Sequence, residues 1–138
     1  MRMIMRWHYD VHKLMKRSEK LFSPSLDMRW RFKGNACELW RDGVRIWRSI
    51  DGQDHWDQVD QYRMCRWLLG YLNAPIAALK QRRVETFISR WQLSDRPNYV
   101  KLISILLASD RRIGKNTLGI WLFMEIEPEA MRIIVKRL

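Results

Sequence analysis

Residues 36–51 read ACELWRDGVRIWRSID, with the pair Asp42-Gly43 set between two runs of alternating side chains. Asp-Gly suits the two positive-φ positions of a type I′ turn, so the stretch carries the strongest local sign of a two-residue β-hairpin. Immediately upstream, MRWRFK at residues 28–33 alternates strictly and closes on Gly34-Asn35, a second two-residue turn. The two turns together specify a three-stranded antiparallel meander. Pairing across the first sets Phe32 opposite Cys37, Arg31 opposite Glu38 and Arg29 opposite Trp40. Pairing across the second sets Arg41 opposite Val44, Trp40 opposite Arg45 and Leu39 opposite Ile46.

Side chains alternate between the faces of a strand, so this register predicts what each face carries. One face receives Met28, Trp30, Phe32, Cys37, Leu39, Val44, Ile46 and Ile50, with Arg41 and Arg48 near its ends; it reads as the core face. The other receives Arg29, Arg31, Lys33, Glu38, Trp40, Arg45, Trp47 and Ser49. A purely structural use of that second face is open: arginines stacked on tryptophans, Glu38 paired with Arg31 or Arg45, or the N-terminal helix laid over both indoles. A binding use is open as well. Guanidinium forks match phosphates and guanine edges, and indoles offer flat area to sugars, methyl groups or unstacked bases.

Helices are expected around the sheet. Residues 4–21 place Ile4, Trp7, Val11, Leu14 and Met15 on one face and Arg6, Lys13, Lys16, Arg17 and Lys20 on the other. Asp54 is a plausible N-cap for a helix running to about Leu72, with Trp56, Val59, Tyr62, Cys65, Leu68, Leu69 and Leu72 as its apolar stripe, widened by Met64, Trp67 and Tyr71. After the break at Asn73-Ala74-Pro75 come apolar positions from Ile76 to Trp91, then a short buried helix over 99–108 and another over 115–126. Pro128 opens the last helix, with Glu127 and Glu129 at its start and Lys136 and Arg137 at its end. The predicted fold class is α+β: an N-terminal helix, the meander, then a C-terminal bundle of about four to five helices. One domain is expected, with helix and sheet in 1–52 and the helical part in 53–138.

Charge bears on partners more than on fold. The formal net charge is +11, and eight tryptophans accompany it. The surplus lies in residues 1–33 and 74–138, whereas 34–73 is nearly neutral. Such a balance fits nucleic acid, an anionic membrane or an acidic protein. No run reaches about 18 apolar residues, so no membrane insertion is expected. The charged start MRMIMRWHYD is unlike a signal peptide. Cys37 and Cys65 read as reduced thiols near the core, which places the chain in the cytoplasm.

Catalytic and metal-binding patterns are weak. His8 and His12 share a helical face, but the intervening residues lack the glutamate of His-Glu-x-x-His, and His55 is a poor third ligand. Asp51, Asp54, Asp57 and Asp60 are better explained as carboxylates gathered at a helix start than as a divalent-metal site. Gly114-Lys115-Asn116-Thr117 lacks the upstream glycine and Lys-Ser/Thr adjacency of a phosphate-binding loop. No nucleophile with a base and no glycine-rich cofactor loop is found. No enzyme activity, metal or cofactor is therefore expected.

A non-enzymatic nucleic-acid-binding protein is the leading expectation. Arg29, Arg31, Lys33, Trp40, Arg45 and Trp47 on the sheet are its candidate contacts, with Arg111, Arg112 and Lys115 supplying phosphate contacts at a helix start. A helix-turn-helix built from 99–108 and 115–126 fits poorly, because KNTLGIWLFMEI is too apolar to lie in a groove. The order of meander and helix over residues 28–73 is similar to that of AP2-type and integrase N-terminal DNA-binding domains, and no residue role is carried over from them. The alternative is an interaction module or inhibitor that docks on an acidic protein or a nucleoprotein complex. In size and charge the chain resembles phage inhibitors of the anti-CRISPR kind.

Overall fold

The structure is a computed structural model that describes residues 11–34, 36–50, 56–74, 97–123 and 126–138. Helix α1 occupies residues 11–18 and tightens into a 3₁₀ turn, Glu19–Leu21. Strands β1 (Met28–Lys33), β2 (Ala36–Arg41) and β3 (Val44–Arg48) follow, then helices α2 (Gln58–Asn73), α3 (Pro97–Ser109), α4 (Lys115–Trp121) and α5 (Pro128–Arg137). The architecture is mixed α+β, in the expected order.

The strands form one antiparallel sheet in the order β1-β2-β3. All the cross-strand pairs expected between β1 and β2 are present. Both glycines of the turns have positive φ, Gly34 at 61° and Gly43 at 80°, and Asp42 joins them at 51°. The Asp-Gly turn thus holds positive φ at both central positions, as type I′ geometry requires.

The second hairpin departs from strict alternation. Arg41 pairs with Val44 and Trp40 with Arg45, but a register shift between Leu39 and Trp40 then sets Leu39 opposite Trp47 and Glu38 opposite Arg48. Ile46 is the extra residue of a β-bulge, which reverses the facing of everything after it. Trp47 was expected on the outer face; it lies in the core, 2% exposed. Arg48, expected beside the core, takes the outer place opposite Glu38. Ser49 is also buried, and its hydroxyl accepts from the Cys37 N–H at 2.8 Å. Val44 and Ile50 were assigned to the core and are exposed, because they lie at the sheet's ends.

The core begins with the row Trp30, Leu39, Trp47 across the three strands. The two indoles meet edge to face at 6.0 Å. Trp30 Nε1 donates to Ser18 Oγ at 2.8 Å, and Trp47 Nε1 donates to the Asn98 carbonyl at 2.8 Å, so each buried donor is satisfied. Helix α1 therefore sits on the core face, where His12 stacks on Phe32, rather than over the outer face. Glu19 accepts from the Trp30 backbone N–H at 2.8 Å, which closes an open donor on the edge strand β1.

Helix α2 starts later than expected. Asp57, not Asp54, is the N-cap, and it exchanges hydrogen bonds with Asp60 as a capping box. Asp54 itself, with Asp51, His8, His55 and the stretch 76–91, lies outside the described residues. Met64, Cys65, Trp67, Leu68 and Tyr71 form the buried side of α2, while Val59 and Leu69 are exposed. Helix α3 is buried almost all round, as a central helix must be when it is apolar on every side. Helix α5 packs along it, and Arg137 donates to the carbonyls of Ala108 and Ile113, close to the end of α3. α5 also holds the β2–β3 turn from both of its ends, with Glu129 in its first turn 2.7 Å from Arg41 and Lys136 in its last turn 2.6 Å from Asp42.

Candidate functional site

The corrected register rewrites the outer face of the sheet. Two cross-strand rows cover it: Arg29–Trp40–Arg45 and Arg31–Glu38–Arg48. Lys33 extends the β1 side. Cations thus stand in two columns, on β1 and on β3, with Trp40 and Glu38 between them on β2. Neighbouring strands are about 4.8 Å apart, so the columns are separated by about 10 Å. Sequence reasoning missed Arg48. The signal was available, since Ile46 and Trp47 are adjacent large apolar residues in a strand with only one core face.

Glu38 organises this surface. Its side chain is largely buried; Oε1 accepts from Trp40 Nε1 at 3.1 Å and Oε2 accepts from Arg45 Nη1 at 3.2 Å. The Arg31 guanidinium lies 4.3 Å from the centre of the Trp40 ring. Burial alone would raise the Glu38 carboxyl. The hydrogen bonds from Trp40 and Arg45, with the charges of Arg45 and Arg48, outweigh that and hold it below its ordinary range. Glu38 is therefore ionised at neutral pH.

The cations differ in how they are held. Arg29 is exposed and lies 3.5 Å from Asp27, a loose surface pair of little energetic weight. Arg31 and Lys33 are exposed as well. Arg48 is half-buried, and its Nε has no acceptor among the described residues. Among the described residues of this face, Glu38 is the one acid set among five cations.

The other predicted contacts divide. Arg111 and Lys115 are exposed. The Arg111 N–H donates to the Leu21 carbonyl at 2.7 Å, beside the turn whose Glu19 caps β1. Arg112 instead turns inward. It forms an ion pair with the fully buried Asp110 at 2.8 Å and donates to the carbonyls of Tyr71 and Ala74 at the end of α2. The structure thus joins Arg112 to the helical core, not to the surface with Arg111 and Lys115. Trp47 is likewise removed from the candidate surface.

Among the described residues no group of three or more His, Cys, Asp or Glu side chains could hold a metal ion. Burial pushes the Cys37 thiol up to about 12, far from the thiolate a nucleophile needs. Among the described residues no helix is long and apolar enough to cross a membrane. No protein-family model, no curated protein and no solved structure matches this chain.

Proposed function

We propose that this protein binds nucleic acid through the outer face of its sheet. The observation that carries the reading is the two-column array of Arg29, Arg31 and Lys33 against Arg45 and Arg48, on a face the core does not use. Phosphates neutralised by such an array release their counterions, which supplies affinity without any shape-specific pocket. Arg111 and Lys115 add cationic surface outside the sheet. The contact set is therefore Arg29, Arg31, Lys33, Arg45 and Arg48.

The test is fluorescence anisotropy of the full chain with labelled nucleic acid over a range of salt concentrations. A steep inverse dependence of affinity on salt is expected. Arg29→Glu with Lys33→Glu, two exposed positions that leave the fold intact, is expected to weaken binding by about tenfold or more. Weak, salt-insensitive binding to DNA and RNA alike would dispose of the reading. Nuclease-resistant capture of one acidic protein would then favour the interaction-module alternative.

Glu38→Gln probes the same face with the opposite sign. Glutamine can still accept from Trp40 Nε1, but it no longer competes with phosphate for Arg45 or repels it. Affinity is expected to rise severalfold and the log–log salt slope to steepen by about one unit. An unchanged slope would show that phosphates do not reach Arg45.

A further inference from the structure

We infer, resting on the nucleic-acid reading above, that the outer face takes a double-stranded phosphate backbone and leaves the bases unread. Three features of the face lead there. First, it offers no open stacking platform. Among the described residues Trp40 is its one aromatic side chain; its Nε1 is held by Glu38, and a guanidinium lies over its ring. Trp47, which strict alternation would have added to the face, belongs to the core. Proteins that hold single strands draw much of their affinity from bases stacked on open aromatic faces, and sheet-based RNA readers do the same.

Second, two of the four guanidinium forks on the face, those beside its centre, are already engaged. Arg45 gives Nη1 to Glu38, and Arg31 lies on the indole. Reading guanine requires both arms of a guanidinium to be free to meet O6 and N7 together. Third, what the face does present is charge in fixed columns, with one acid at their centre. A surface that works by charge responds to charge density. A duplex carries one phosphate per about 1.7 Å of axis, about twice the density of either strand alone. DNA and RNA duplexes share that chemistry.

The experiment compares four labelled ligands of equal length against the full chain at one salt concentration: AT-rich duplex DNA, GC-rich duplex DNA, duplex RNA and single-stranded DNA. The two DNA duplexes are expected to bind within about threefold of each other, and both duplex types about tenfold tighter than the single strand. Arg48→Gln, checked for an unchanged melting temperature, is expected to lower the salt slope by about one for AT-rich and GC-rich DNA alike. Arg29→Gln, at an exposed position, provides the same measurement if Arg48→Gln unfolds. Single-strand binding as tight as duplex binding would overturn the inference while leaving the proposed function standing. So would a difference above about tenfold between the two DNA duplexes, the size of one good base-edge contact. Failure to bind any of the four would remove the proposed function itself.

Discussion

Trp47→Ala is expected to destabilise the fold by about 3–5 kcal/mol, while Trp40→Ala costs about 1 kcal/mol. The two indoles are seven residues apart on adjacent strands, and strict alternation would set both on the outer face. Their surroundings are opposite. Trp47 is sealed between the sheet and the start of α3, bonded to the Asn98 carbonyl and set edge-on to Trp30. Removing it leaves a cavity lined by Trp30 and takes the indole donor from the Asn98 carbonyl. Trp40 is half-buried on the outer face, with one hydrogen bond to Glu38 and one stacked guanidinium to lose. Urea denaturation followed by circular dichroism measures both variants. Equal costs would mean that the bulge at Ile46 is absent and that both tryptophans share one face.

That contrast also marks where local sequence stops being informative. The first hairpin was legible in full, because MRWRFK alternates strictly and every pair follows from one two-residue turn. The second was legible only as far as Trp40 and Arg45. Beyond them, Ile46 and Trp47 both seek burial, and a half-buried strand can satisfy two adjacent apolar residues only by a bulge. The group that receives Trp47 is Asn98, 51 residues away in sequence, and no local pattern announces it. The consequence for the candidate surface is direct: one indole leaves it and one guanidinium, Arg48, enters.

The same distinction holds in the helices. Asp54/Asp57 and Asp57/Asp60 have the same spacing, so the capping pattern alone does not say which aspartate begins α2. The burial of Trp56 immediately before the cap favours the later start. Pro128 with Glu127 and Glu129 fixes the start of α5 unambiguously, and there the expectation and the structure agree. Arg112 could be read as a surface cation because its partner Asp110 lies two residues away. What makes that pair buried is Tyr71, contributed by a different helix.

Asp110→Ala is expected to remove about 3–5 kcal/mol, because it leaves a partly buried guanidinium and a fully buried phenol without their shared carboxylate. Asp110 accepts from the Tyr71 hydroxyl at 2.6 Å, from the Arg112 backbone N–H at 2.8 Å, and from Arg112 Nε and Nη2 at 3.1 and 2.8 Å. Through Arg112 it also holds the last carbonyls of α2, so its loss loosens the join between α2 and the loop after α3. Tyr71 gives the join a signature in pH. Burial first, and the neighbouring Asp110 charge second, push its hydroxyl well above the ordinary 10.0. An unfolded chain therefore releases that proton at a lower pH than the folded one. The Tyr71 contribution is complete below pH 10 and is lost as pH rises above it, by about 1.4 kcal/mol per unit. Cys37, raised by burial from 9.0 to about 12, adds a loss of the same sign that begins one unit earlier. Tyr71→Phe is expected to abolish the part of the alkaline slope that sets in above pH 10 and to keep the part that starts at the thiol. Denaturation midpoints measured from pH 8 to 11 separate the two, and an unaltered slope in Tyr71→Phe would show that the phenol is not sealed against Asp110.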